Sequence, residues 1–222
     1  MDIVLYGFAY DQSTDDYFIV LWYFEDHPVS SSTELLIFSL RANKWKPIEV
    51  ASHLPYMMIV EWQNGPRHGL FLNGSIHWMV YNPETSKYVI VALDVKDMTI
   101  SEIALPDDTS MLVVGGLIGA WMKDLNTVKI WVMQKYAVHS SWTKIIEFSV
   151  DPILHCSLSI LCFTNCGDII GIDGEDRLVT FNDKGKLIEH PFCHNYLSDK
   201  SAKSEFVVYT ESLFTLPGTG QA

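Results

Sequence analysis

The sequence predicts an all-β fold: a β-propeller-like array of about four four-stranded antiparallel blades plus a partial blade, which together form an incomplete propeller. Short runs of β-branched and aromatic residues, separated by turn residues, occur along the whole chain. The pattern of these runs repeats about every 40–55 residues. No segment of the sequence keeps a 3.6-residue apolar period between two helix caps, so we expect no long helix.

The runs group into four units, and each unit is a meander of four predicted strands. The first unit comprises 3–10, 17–24, 34–40 and 45–50, and the second comprises 69–73, 76–81, 88–95 and 99–105. The third comprises 112–117, 118–123, 128–135 and 142–149, and the fourth comprises 159–164, 168–173, 177–182 and 186–191. A fifth unit begins at 206–215. One meander cannot bury both of its faces, whereas meanders stacked radially cover each other.

A β-sandwich built from the same strands is the alternative fold. It explains the alternation of apolar residues within a strand such as 128–133, but it does not explain the repeat. Segment 89–95 is apolar on both faces, which indicates a strand covered on both sides. We expect one domain over 1–216 and a flexible tail over 217–222. Because strand-like sequence begins almost at Met1, the chain is expected to start inside a larger architecture.

The chain is apolar enough to fold and is strongly acidic. Apolar residues make up 48% and charged residues 19% of its 222 residues, and the formal net charge is −12. That charge repels phosphate backbones and anionic membrane surfaces, so we expect neither a nucleic-acid partner nor a membrane partner. The longest apolar run, 111–122, is too short to span a bilayer.

The cysteines indicate a reducing compartment. The sequence has 4 of them, and no pair has the CxxC spacing of a zinc or redox motif. The N-terminal residues lack the basic region of a signal peptide. We therefore expect reduced thiols in an intracellular protein, located in the cytoplasm, the nucleus or both. One cluster resembles metal ligands, but its spacing matches no zinc site: His155, Cys156, Cys162 and Cys166.

His77, in the segment GLFLNGSIHWM (69–79), is the first candidate for a chemical group. A catalytic base needs a nucleophile or carboxylate partner, and no sequence motif supplies one. We interpret His77 as holding a backbone carbonyl within a blade, and Trp78 as packed between blades. The acidic run 11–16 lacks the Gly and Glu of an EF-hand and reads as a solvated hairpin turn, and the glycine stretch 113–121 lacks the phosphate-loop lysine. No catalytic, cofactor-binding or metal-binding residue is predicted.

Loops at one edge of the meanders are the predicted protein-binding region. In a meander, the loop joining strands two and three lies at the same edge as the connection to the next unit, and loops on a rigid scaffold commonly carry recognition residues. That edge collects 25–33, 51–68, 82–87, 107–111, 123–127, 152–158 and 193–205. Its longest apolar-containing loop holds four residues of types enriched in interfaces, and we predict that they form part of a binding patch: Tyr56, Met57, Met58 and Trp62. Alternatively, these residues seal the central channel or form an edge strand.

Five segments occur in an order that resembles a known family. They are GFAYDQSTDDYFIV (7–20), LLIFSLRANKWKPIE (35–49), GLFLNGSIHWM (69–79), VIVALDVKDMTISEIALP (89–106) and KIWVMQKYAVHSSWTKIIEFSVD (129–151). Over 4–190 the chain resembles the type 1 F-box-associated interaction domain of plant F-box proteins, including F-box/kelch-repeat proteins. The resemblance implies a subunit of an SCF-type E3 ubiquitin ligase. In that family the F-box docks on a Skp adaptor and hence a cullin, and the associated domain binds the protein to be ubiquitinated.

Two features of the sequence depart from the pattern of this family. The sequence before Gly7 contains neither the Leu-Pro helix start nor the Cys-x-x-Trp segment of an F-box. We therefore expect a protein target as partner, and Skp and cullin only if an F-box is supplied upstream. Phe18 stands where the family usually carries Lys, and we expect it to face a neighbouring element. The alternative function is a stand-alone propeller enzyme or a carbohydrate-binding protein.

Overall fold

Four β-sheets form the architecture of the protein. The computed structural model describes residues 3–24, 33–48, 56, 67–106, 109–150, 158–173 and 177–189. In this part of the chain, sixteen strands form four four-stranded antiparallel sheets, and each sheet is built from strands that are consecutive in sequence. The sheets are the blades of a four-bladed β-propeller. The predicted all-β propeller is confirmed, and the alternative β-sandwich is not adopted.

The strands follow the chain order within every blade. Blade 1 contains β1 (Ile3–Asp11), β2 (Asp16–Phe24), β3 (Thr33–Ser39) and β4 (Lys44–Pro47). Blade 2 contains β5 (Leu70–Leu72), β6 (Ser75–Asn82), β7 (Lys87–Asp94) and β8 (Ile100–Ala104). Blade 3 contains β9 (Ser110–Val114), β10 (Leu117–Asp124), β11 (Thr127–Met133) and β12 (Trp142–Ser149). Blade 4 contains β13 (Ser159–Phe163), β14 (Ile169–Ile172), β15 (Leu178–Phe181) and β16 (Leu187–Glu189).

Two-residue turns set the strand ends. Asn73 and Gly74 join β5 to β6 with φ of 51° and 76°, and Gly115 and Gly116 join β9 to β10 with φ of 55° and 77°. Residues that adopt positive φ suit such hairpins, because the twist of the turn then matches that of the strands. The predicted strand 112–117 is therefore wrong at its C-terminal end, since β9 stops at the glycine pair. No helix among the described residues has the length and apolarity needed to cross a membrane.

Two predictions about single strands are confirmed. Residues 89–93 of β7 are each at most 4% exposed, so both faces of this strand are covered. Phe18 is 9% exposed and belongs to the apolar cluster between blades 1 and 2, so it does face a neighbouring blade. The fifth unit at 206–215 and the tail at 217–222 lie outside the described residues, so these two predictions stand as predictions.

Three apolar clusters fill the spaces between neighbouring blades. One joins blades 1 and 2 around Trp22 and Trp78. A second joins blades 2 and 3 around Ile90 and Ile118, and a third joins blades 3 and 4 around Phe148. Within the described ranges, none of the three clusters contains side chains of both blade 1 and blade 4. Each interface is therefore a separate contact between two consecutive sheets.

Trp78 fills a slot between blades 1 and 2, as predicted. Its Nε1–H donates to the carbonyl oxygen of Tyr6 at 3.0 Å, and its ring meets that of Trp22 edge-on with centroids 5.7 Å apart. The Gly69 N–H donates to the same carbonyl at 2.6 Å. A Cβ at Gly69 would lie 2.4 Å from Cγ2 of Ile76 and 2.6 Å from Nε1 of Trp78. Glycine is required there because a side chain would occupy the volume of the indole.

Candidate interaction site

His77 is a buried group that links blades 2 and 3. It is 1% exposed; its Nδ1 lies 3.1 Å from the carbonyl oxygen of Leu70, and its Nε2 lies 2.9 Å from Oη of Tyr136. Because a carbonyl only accepts, Nδ1 carries the proton and Nε2 accepts from the Tyr136 hydroxyl. The prediction that His77 holds a backbone carbonyl is confirmed. The link to Tyr136, in the loop between β11 and β12, carried no sequence signal.

This histidine makes stability depend on pH near neutrality. Burial lowers the pKa of His77 below its ordinary value of 6.5, and the hydrogen bond with Leu70 opposes that shift only in part. As pH falls through 6.5, the unfolded chain therefore binds a proton that the folded chain does not, and stability decreases. We expect His77→Gln to remove one contribution to the pH dependence of the free energy of unfolding. Between pH 6.5 and the folded-state pKa of His77, that contribution is up to about 1.4 kcal/mol per pH unit. Urea unfolding of both proteins at several pH values measures it, and equal slopes would contradict the assignment.

Asp11 organises the turn between β1 and β2. Its Oδ1 accepts from the Ser13 N–H at 2.9 Å, and its Oδ2 accepts from the Thr14 hydroxyl at 2.7 Å. The hydrogen bonds from Thr14 and Ser13 hold the pKa of the Asp11 carboxyl below its ordinary value. The predicted hairpin turn at 11–16 is correct, but it is not fully solvated, because Asp11 and Asp16 are only 8% and 7% exposed.

The described cysteines are free thiols. Burial raises the pKa of Cys162, whereas Cys166 is exposed, and its Sγ lies 3.1 Å from Oγ1 of Thr164. Across the ranges that the structure covers, no group of three or more His, Cys, Asp or Glu side chains could hold a metal ion. The structure does not test whether His155, Cys156, Cys162 and Cys166 come together as a cluster, because His155 and Cys156 lie outside the described residues.

Of the four residues predicted to bind a partner, the structure describes Tyr56. This side chain is 6% exposed, its hydroxyl donates to Oε2 of Glu102 at 2.8 Å, and its ring meets Trp22 edge-on at 6.2 Å. Burial and then the hydrogen bond to Glu102 raise the pKa of Tyr56 far above its ordinary value. Tyr56 is thus a packing residue between blades 1 and 2 and presents no exposed ring. The other three residues lie outside the described part, and their role stays a prediction: Met57, Met58 and Trp62.

The predicted binding edge carries an exposed leucine, Leu125. Asp124 pairs with Thr127, and the chain turns between them through Leu125 and Asn126. Leu125 is 86% exposed and has a φ of 50°. A left-handed backbone costs a residue other than glycine about 1–2 kcal/mol, and an exposed side chain gains almost nothing from burial. Folding therefore gives no reason for leucine at this turn. The sequence places 123–127 in this edge, and no sequence signal distinguishes Leu125 from the other loop residues.

Apart from Leu125, the described edge presents no large exposed apolar side chain. In the turn between β6 and β7, Oδ1 of Asn82 accepts from the N–H of Glu84 at 3.0 Å. Asp173 follows β14 and Arg177 precedes β15, the second and third strands of blade 4, so this pair lies at the same edge although the predicted segments do not include it; the two side chains form an ion pair at 2.7 Å. The edge thus presents one exposed apolar side chain beside fixed polar turns, an arrangement that suits contact with a protein surface.

The blades, the His77–Trp78 pair and the turn order fit one family of proteins. The F-box associated beta propeller domain matches residues 1–215. The chain belongs to this family. The match continues beyond β16 and includes 206–215, so the F-box associated domain of this protein extends past its last described strand.

Three curated F-box proteins of Arabidopsis thaliana are similar to this F-box associated domain. F-box/kelch-repeat protein At3g23880 is 27% identical over 154 residues, which covers 65% of the chain and 40% of the relative. F-box protein CPR1 is 29% identical over 165 residues, which covers 64% and 40%. F-box protein At4g22390 is 24% identical over 211 residues, which covers 81% and 52%. The chain spans about half the length of these relatives, or less.

Proposed function

We propose that this F-box associated domain is a protein-recognition module and acts as the substrate-binding part of an SCF-type E3 ubiquitin ligase subunit. The observation that carries the proposal is the family match over residues 1–215, because the family is one of interaction domains of F-box proteins. In this proposal the blades are a rigid scaffold, the edge loops contact a protein target, and the chain itself performs no chemistry. Skp and cullin are partners only of a form that carries an F-box, and the complex acts in the cytoplasm, the nucleus or both.

The properties of the edge support a protein target. Leu125 projects from a turn whose described neighbours are polar, and an apolar contact within a polar rim is the usual anatomy of a protein interface. The net charge of −12 favours a target with a basic contact surface. The strained turn also supports a binding role, because local strain at an exposed residue often accompanies function.

No observation in the described ranges favours the alternative of an enzyme or a carbohydrate-binding protein. Such a site needs acids, histidines or aromatic rings that converge in a pocket. His77 is buried against Leu70 and Tyr136, and Tyr56 is buried against Glu102. Both side chains are occupied by contacts within the protein.

Leu125→Asn tests the proposal. Asparagine tolerates positive φ, so this variant is expected to fold at least as stably as the parent while it loses the apolar contact. Leu117→Asn is the matched control, because Leu117 is also exposed and lies at the opposite end of the same strand, β10, about 26 Å away. Affinity purification with quantitative mass spectrometry should recover a set of proteins with the parent and with Leu117→Asn. The same proteins should be depleted about tenfold or more with Leu125→Asn, a loss typical of an interface residue worth about 1.4 kcal/mol.

Two results would contradict the proposal. One is equal recovery of the bound proteins with Leu125→Asn and Leu117→Asn, which would show that the edge is not part of the binding site. The other is that the parent chain enriches no protein over an unrelated propeller used as bait, which would show that the domain does not bind a protein target under these conditions. Met57→Ala and Trp62→Ala belong in the same assay, because unchanged recovery with both would refute their predicted role.

A further inference from the structure

The face of blade 1 that points away from blade 2 is apolar, and the described residues leave it open. We call it the outer face. In its central row, one residue from each strand lies opposite the next in the register of the sheet: Phe8, Ile19, Phe38 and Trp45. Phe8 is 55% exposed and Trp45 is 43% exposed. The rings of Phe38 and Trp45 are 5.1 Å apart, and that of Phe8 stacks on Tyr17 at 5.6 Å. A row of apolar side chains thus crosses all four strands, with an aromatic pair at each end.

The composition of β2 indicates that the outer face is normally buried. Its sequence, DYFIVLWYF, is apolar on both sides, like that of β7. In β7 both sides are buried, whereas in β2 only the side formed by Phe18, Val20 and Trp22 is buried. Ile19 and Leu21, on the other side, remain partly exposed. Open apolar patches of this kind promote association, so a soluble chain with this composition needs something to cover the outer face.

We propose that segment 206–215 of the same chain covers the outer face of blade 1. Its sequence, FVVYTESLFT, has the β-branched and aromatic composition of a strand. In extended form it would place Phe206, Val208 and Phe214 on one side and Val207, Tyr209 and Leu213 on the other. Each side therefore carries three large apolar residues, as suits a strand that packs between two sheets, and Glu211 is the one charged residue of the segment.

The course of the chain supports this occupant over others. In a propeller the last blade lies beside the first, so a chain that continues after β16 starts within reach of blade 1. Residues 190–205 can span about 50 Å, which is more than the diameter of a small domain. The segment also lies inside the matched family domain, which ends at residue 215. A covering segment in the same chain has a high effective concentration at the outer face, whereas a second copy of the protein would bind only at its concentration in the cell.

Hydroxyl-radical footprinting of the full chain tests the inference. Phe71 and Tyr136 are each 40% exposed and lie on blades 2 and 3, so they serve as internal references for Phe8 and Trp45. After correction for intrinsic reactivity, Phe8 should be oxidised several-fold less than Phe71 in the monomeric protein. The double variant Val207→Asp, Val208→Asp places one charge on each side of the segment. It should raise oxidation of Phe8 and Trp45 several-fold and leave Phe71 and Tyr136 unchanged.

Three outcomes would overturn the inference. If Phe8 and Phe71 react equally in the monomer, the outer face is open. If protection of Phe8 is unaffected by the double variant and disappears on dilution, a second copy covers the face. If protection survives both dilution and the double variant, another part of the chain covers it. The measurement reads single side chains, so it also reveals whether a variant has unfolded, because oxidation at buried Trp78 and Ile90 would then increase together.

Discussion

Replacing Trp78 with alanine is expected to lower the free energy of unfolding by about 3–5 kcal/mol. The indole is 2% exposed, and it fills the slot that Gly69 leaves open between blades 1 and 2. Its removal creates a cavity beside Trp22 and breaks the hydrogen bond to the Tyr6 carbonyl. Because small domains have a total stability of about 5–15 kcal/mol, the variant should lie close to its unfolding transition at room temperature. Equilibrium urea denaturation measures the change.

Trp78→Phe is the graded control. It keeps most of the apolar volume and loses the Nε1–H donor, so the expected loss is smaller than that of alanine. The hydrogen bond itself is worth about 0.5–1.5 kcal/mol. The Tyr6 carbonyl keeps its bond from the Gly69 N–H, so no buried acceptor is left unpaired. A loss below about 1 kcal/mol for Trp78→Ala would show that blades 1 and 2 do not depend on this contact.

Gly185→Ala is expected to lower the free energy of unfolding by about 2–5 kcal/mol, from backbone strain together with steric overlap. Gly185 has a φ of 75° in the turn between β15 and β16. A Cβ there would lie 2.0 Å from Cγ of Phe148, a buried residue of β12. The turn of blade 4 therefore rests directly on the aromatic core of blade 3, and any side chain must push the two blades apart. Thermal and urea unfolding report the loss.

Gly74→Ala separates the two contributions. Gly74 has nearly the same φ, 76°, but a Cβ there would meet no atom within 4 Å. Its replacement should therefore show the backbone strain alone, about 1–2 kcal/mol. Equal losses for Gly185→Ala and Gly74→Ala would contradict a steric contact with Phe148.

The architecture follows from features that are local in sequence. Turn residues such as Asn73 and Gly74 impose hairpins, and the apolar runs between them have the length of strands. This is why the four blades were predictable. Predicted strand ends differ from the observed ones by a few residues, most clearly at Gly115 and Gly116, a glycine pair that could be read as strand or as turn. The burial of Phe18 was predictable because this residue stands where the resembling family usually carries Lys.

The site was harder to predict because exposure depends on distant neighbours. Tyr56 and Leu125 illustrate this in opposite ways. Tyrosine is common in interfaces, yet Tyr56 is buried because Trp22 and Glu102 come to it from blades 1 and 2. Leucine is common in cores, yet Leu125 is exposed because its turn extends beyond the strands that could cover it. Residue type alone predicts the chemistry of a side chain, and only the packing of the blades decides which side chains remain accessible.

The pairwise clusters between blades have a consequence for how such genes change. No single core is shared by all four sheets of the described chain, since each cluster spans two consecutive blades. Duplication or loss of one blade therefore disturbs only the two junctions beside it. Unequal crossing-over between repeats can then lengthen or shorten the array while the remaining junctions keep their residues. A junction such as the one around Trp78 therefore does not depend on how many blades lie elsewhere in the array.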